Sequence, residues 1–160
     1  MRRVNVNEIE CVLRDEDPPA GYRSSVARVG EQIGASMMTA TVRELPPGES
    51  VCPYHYEHGD EEWMLVLEGA PSVRDPDGVH ELRTGDMVCF PAGPPGAHKI
   101  SNHSAQTARV LIFSTHNFPA VVVYPDSDKI GVYTEDESDD LLVRREDGVD
   151  YWEGEPPAGA

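Results

Sequence analysis

The sequence predicts an all-β domain, a sandwich or a barrel, and three observations lead there. Proline and glycine, 14 of each in 160 residues, punctuate the chain at short intervals. The runs between them are short and rich in Val, Ile, Thr and aromatic residues, which is strand chemistry. No long apolar period of the helical kind occurs in the first 125 residues, and no repeat is visible.

The expected strands follow in order. Ser24–Gly30 (SSVARVG), Ser36–Leu45 (SMMTATVREL), Glu62–Gly69 (EWMLVLEG), Asp86–Phe90 (DMVCF) and Ala108–Thr115 (ARVLIFST) each end near a turn-forming residue. Arg74-Asp75-Pro76-Asp77-Gly78 reads as a tight hairpin turn, because Asp-Gly supplies the backbone angles that such turns need. Residues 1–125 are expected to form the barrel domain. Beyond Pro125 the composition changes: twelve acidic residues against three basic ones give 126–160 a net charge of −9. This segment is expected to be an irregular acidic arm. Its apolar anchors, among them Ile130, Val132, Leu141, Tyr151 and Trp152, would hold it to the barrel or to a second subunit.

Charge and composition exclude several functions. Thirteen basic residues against 29 acidic ones leave a net charge of −16, which repels phosphate backbones and anionic membranes. No stretch approaches the ~20 apolar residues of a membrane-spanning helix. The N-terminus lacks the apolar core of a secretory signal. Three scattered cysteines, Cys11, Cys52 and Cys89, form no disulfide pattern and fit a reducing, cytoplasmic setting. P-loop, GxGxxG and GxSxG motifs are absent, and no Ser or Cys sits in a recognisable nucleophile pattern.

The stretch that carries chemistry is Pro46 to Trp63. His55 and Glu57, two apart on a strand, share a face. A turn at Gly59-Asp60 returns Glu62 on the neighbouring strand. Farther on, a Pro/Gly-rich turn leads to His98, and Asn102 follows on the same face one layer along. Such convergence of N and O donors is what a metal ion needs to exchange its water shell for protein ligands. Met64 shares the Glu62 face and, with Asn102 and Arg109, is expected to line the substrate pocket. His80, His103 and His116 are isolated and carry no pattern.

These residues form two ordered motifs. The first is Gly48, His55, Glu57, Glu62 and Gly69. The second is Gly85, Pro91-Ala92-Gly93, His98 and Asn102, and fifteen residues separate the two. Together they resemble the motifs of the small single-domain cupins, the conserved barrel family often called cupin 2, over a core of about residues 47–115. The resemblance implies a jelly-roll barrel, a double-stranded β-helix, often dimeric, that holds a divalent metal between histidines and a glutamate. Carried over position by position, it assigns His55, Glu62 and His98 as ligands. The chain departs from the family at Glu57, which stands where a second histidine belongs. Either Glu57 ligates, making a harder and more negative site, or a kink at Gly59 lets His58 supply the imidazole. Strand parity favours Glu57. If only three groups bind, Glu57 is free to act as a catalytic general base through a water.

A His-x-acid pair, a distant histidine and Arg109 are also similar to the 2-oxoglutarate oxygenase pattern, in which an arginine clamps a carboxylate. Its usual RxS sequence is missing here, since Arg109 is followed by Val110-Leu111. The expected protein is therefore a single-domain cupin, a Fe-, Mn-, Ni- or Zn-dependent enzyme of dioxygenase or isomerase type. It would form a homodimer and act on a small polar metabolite. A non-catalytic cupin that binds a sugar or other small ligand, or that serves as a structural dimer, is the alternative.

Overall fold

The computed structural model describes residues 1–158. Its main wall is a six-stranded antiparallel sheet in the order β1-β2-β3-β10-β5-β8. The strands are β1 (Val12–Leu13), β2 (Ser25–Arg28), β3 (Met38–Leu45), β5 (Glu62–Glu68), β8 (Met87–Phe90) and β10 (Ala108–Thr115). The facing wall is built from two smaller sheets. One has the order β13-β12-β11-β4 and contains β4 (Tyr56–Glu57), β11 (Ala120–Tyr124), β12 (Lys129–Tyr133) and β13 (Leu141–Arg144). The other has the order β7-β6-β9, from β6 (Ser72–Asp75), β7 (Gly78–Glu81) and β9 (Lys99–Ser101). Antiparallel bridges at His55–His98 and Ser50–Ser101 tie these two sheets together.

Strand parity decides which side chains enter the barrel. On the inner face of the main wall, Met64, Val66, Val110, Ile112 and Leu45 meet Val73 and Ile100 from the facing wall to form the apolar core. Each such side chain contributes roughly 1.5–3 kcal/mol when withdrawn from water. Farther along the same face the residues become polar: Thr39, Ser114 and Glu62 lie side by side in register. One end of the barrel is thus filled and the other is a polar cavity.

The outer face of the main wall is covered as well. Val4, Val6, Ile9 and Cys11 from the N-terminal segment pack over Ala27, Val42, Val29 and Leu111. A five-residue helix, α1 (Val29–Ile33), continues β2 where only a strand was expected. It ends at Gly34, whose φ of 80° suits a residue without Cβ.

The segment beyond Pro125 also differs from expectation. It is not wholly irregular. β12 and β13 extend the sheet of β11 in unbroken antiparallel register, so 126–144 completes the barrel wall. Its anchors divide accordingly. Ile130, Val132 and Tyr133 are at least half-buried, while Leu141, Leu142, Tyr151 and Trp152 stay exposed.

Candidate functional site

The cavity lies between β3, β5 and β10 on one side and β4, β11 and β12 on the other, with a volume of about 450 Å³. His55, Glu57 and Glu62 line it. His98 stands in the wall beside them, 3% exposed. Its ring is sandwiched, stacked on Phe90 with centroids 3.6 Å apart and 4.7 Å from the ring of His55.

Backbone carbonyls orient both imidazoles. His55 Nδ1 donates to Pro53 O at 3.1 Å, and His98 Nδ1 donates to Gly96 O at 2.9 Å. A carbonyl only accepts, so each Nδ1 carries the hydrogen. In its neutral form each ring would therefore present its lone pair at Nε2. A second hydrogen bond of this kind is the usual support for a metal-binding histidine.

His98 Nε2 lies 3.0 Å from Glu62 Oε1. With Nδ1 already protonated, two lone pairs face each other across this contact, and only a proton or a cation between them makes it favourable. Two ligands at right angles, each roughly 2.1 Å from a cation, stand about 3.0 Å apart. The pair fits a shared divalent cation in its spacing and in its donor chemistry. A third donor is not yet in place. Among the described residues, no three His, Cys, Asp or Glu side chains converge on one point.

Glu57, and not His58, faces the cavity. His58 is exposed and sits edge-on to Tyr56. Burial pushes the Glu57 carboxyl up from its ordinary value, the Glu62 charge adds to the rise, and His55 opposes it. Cys52 is 3.5 Å from His55 Nδ1, and burial first and the Glu62 charge second push its thiol up to about 12, which disfavours the nucleophilic thiolate. Asp60 is engaged in holding the rim: Thr115 Oγ1 donates to it at 2.7 Å and Asn117 Nδ2 at 2.8 Å.

Three residues expected at the pocket lie elsewhere. Arg109 is on the outer face of the main wall. It donates to Glu44 Oε1 at 2.9 Å and to the carbonyls of Val6 and Ile9, so it fastens the N-terminal segment to the sheet. It sits opposite Glu44 in register, one residue out of phase with the inward positions. Asn102 is fully buried and serves a loop. Its Nδ2 donates to Leu45 O and Gln106 O, both at 2.7 Å, and its Oδ1 accepts from Ser104. Met64 does point inward, but it lies within the apolar core.

Sequence reasoning missed other lining groups. Arg14, Arg28 and Arg43 reach the cavity from the main wall, and Tyr124 and Tyr133 from the facing one. The two tyrosine hydroxyls are 2.8 Å apart. Burial raises the Tyr124 hydroxyl pKa, and the bond to Tyr133 raises it further. Arg28 and Arg43 both fall in runs already read as strands, yet nothing in those runs marks them as inward.

Known proteins bear on this geometry. The Cupin_2 family, described as a cupin domain, matches residues 41–114. Among solved structures, one from Acidithiobacillus ferrooxidans, proposed to be a sugar phosphate isomerase, is 23% identical. It covers 91% of each chain with a TM-score of 0.79. A sugar phosphate isomerase of the cupin superfamily from Silicibacter pomeroyi is 26% identical with a TM-score of 0.77, covering 91% of this chain and 94% of its own. The polyketide cyclase RemF from Streptomyces resistomycificus is 25% identical, with a TM-score of 0.60, over 75% of this chain and 83% of its own. No curated protein matches by sequence. With both motifs around one cavity and the family match spanning β3 to β10, residues 41–114 form a cupin domain.

Proposed function

We propose that the protein is a divalent-metal-dependent enzyme that performs isomerase-like proton transfer on a small polar metabolite. The observation that carries this is the 3.0 Å contact between His98 Nε2 and Glu62 Oε1, with both imidazoles fixed through Nδ1. His55, Glu62 and His98 would hold the cation, and Glu57 would join them or stay free. Nitrogen and carboxylate donors suit Fe(II), Mn(II), Ni(II) or Zn(II). When bound, the cation supplies a Lewis acid that orients and polarises a substrate oxygen.

The chain's own residues do the rest. Glu57 faces the cavity with a carboxylate that can take a proton from a bound carbon acid and return it. Tyr124, on the opposite wall and hydrogen-bonded to Tyr133, can donate to a substrate oxygen. Asp60, held by Thr115 and Asn117, keeps the rim in place. The Silicibacter pomeroyi relative supports isomerase over dioxygenase chemistry for this chain.

Metal analysis of untagged protein grown with each of the four metals tests the proposal. The expected result is one metal bound per cavity in at least one preparation, with Glu62→Gln and His98→Gln each lowering affinity at least about tenfold. A metal-free cavity in all four preparations overturns it. A second reading, a ligand-binding cupin without turnover, is favoured by one observation: no three donors converge among the described residues. Proton exchange at a sugar phosphate carbon, followed by NMR in D₂O, separates the two readings.

A further inference from the structure

The cavity holds a group that neither the fold nor the metal reading uses. Arg43 points into it from β3, and its Nε and Nη1 are buried without a hydrogen-bond partner. Among the described residues it forms no ion pair, although Glu57 and Glu62 line the same cavity. Buried polar atoms in native proteins are nearly always satisfied, so an orphaned guanidinium asks for a missing partner.

Two more arginines stand with it. Arg28, on the adjacent strand β2, is one rung along the same face, since Val26 pairs with Arg43 and Arg28 with Thr41. Arg14 reaches the same region and commits only Nη1, to Val51 O at 3.0 Å. Arg28 is engaged only weakly, with Glu31 at 3.5 Å on the exposed side. Mutual repulsion is visible in the chemistry of Arg43, whose pKa falls to about 10 through burial first and the Arg14 charge second. Three like charges gather here in a chain whose net charge is −16. Arg14 and Arg28 are exposed, so the cost of an uncompensated charge falls on the buried atoms of Arg43, and an anion beside them would relieve it.

We propose that Arg43, supported by Arg14 and Arg28, binds an oxyanion group of the ligand, a phosphate or a carboxylate. Arg43 has a planar fork of donors and nothing bound to it, which is the geometry that recognises an oxyanion in two-pronged fashion. The anion would lie on the β2–β3 side, while Glu62 and His98 lie toward β5 and β9. A ligand held at both ends would present its middle to Glu57. The inference deepens the reading of this cavity as the ligand site, but it needs no metal.

The test is calorimetric titration of the full chain with inorganic phosphate and, separately, with acetate. The wild type is expected to bind at least one of them, and the stronger of the two identifies the source of the oxyanion. Arg43→Gln should weaken that binding by about 10- to 100-fold. Arg83→Gln, at an exposed position away from the cavity, should leave it unchanged. Without any anion, Arg43→Gln should melt no lower than the wild type, because it removes an unpaired buried charge. The inference is overturned if neither anion binds wild type at about 50 mM, roughly a thousandfold above a tight metabolite site. It also fails if Arg43→Gln binds normally, or if that variant melts well below wild type and so has a structural partner. Manganese uptake is read in parallel. Loss of metal binding with intact Arg43-dependent anion binding refutes only the metal reading, and the reverse pattern refutes only this inference.

Discussion

Asn102 offers the sharpest test of how the second motif works. It occupies the position at which the family pattern places an asparagine, yet its contacts are all to its own loop and to the end of β3. It is fully buried, and its Nδ2 donates two bonds at 2.7 Å, to Leu45 O and Gln106 O. Its Oδ1 accepts from Ser104 N at 3.0 Å and Ser104 Oγ at 2.7 Å. Asn102→Ala removes all four. The two bonds to Ser104 and the bond to Gln106 O are partly open to water, and their loss costs about 0.5 kcal/mol each. The bond to Leu45 O is fully buried, so its carbonyl is stranded at a cost of about 1–3 kcal/mol. The sum is about 3 kcal/mol, or a fall in Tm of about 6–12 °C for a domain of this size.

Asn102→Asp should be worse than Asn102→Ala. It keeps the shape and the Oδ1 contacts but turns both donated bonds into contacts between acceptors, inside a site that cannot solvate a charge. Thermal melts of the two variants, with metal content measured on each, check the argument. Asn102→Asp melting above Asn102→Ala would refute it. So would a variant that melts like wild type but fails to take up metal, since Asn102 would then act at the cavity rather than on the loop.

Three further outcomes are expected. Gly96→Ala should cost several kcal/mol and displace His98, because a Cβ there would lie 1.8 Å from Pro91 O and Gly96 O holds the His98 ring; a melt and metal uptake measure both effects. Arg74 donates to Asp126 at 2.6 Å and 2.9 Å and holds that carboxyl below its ordinary value. This exposed pair therefore contributes stability above the unfolded-state pKa of about 3.9 and loses it as pH falls through the lower folded value. Asp126→Asn should cost about 0.2–1 kcal/mol in melts at pH 7 and progressively less as pH falls below about 4. Iodoacetamide at pH 8 should label exposed Cys89 first and half-buried Cys52 much more slowly, because its raised thiol pKa leaves little thiolate, as read by intact mass; labelling of Cys52 as fast as Cys89 would contradict this.

Much of the fold was legible because strand signals are local. Ala108–Thr115 is β10 to the residue, and Glu62–Gly69 differs from β5 only at its last position. The spacing of His55, Glu57, Glu62 and His98 was legible for the same reason: two residues along a strand share a face, and a short turn returns the chain. The arm beyond Pro125 was misjudged because its acidic residues crowd the turns and outer faces. Its strand residues, Ile130 to Tyr133, gain their partners only when β11 lies alongside.

By itself, then, the sequence determined the all-β class and the two motifs. Which arginine serves the cavity was decided by tertiary structure alone. Arg43 and Arg109 sit on paired strands, yet one faces in and the other out. β10 reads Ala-Arg-Val-Leu-Ile-Phe, with apolar residues on both faces, because the barrel core covers one side and Val4, Val6 and Ile9 cover the other. Two covered faces erase the alternation that marks an inner side. Only closure of the barrel, with the N-terminal segment laid over its back, gives Arg109 to that segment and leaves Arg43 to the cavity.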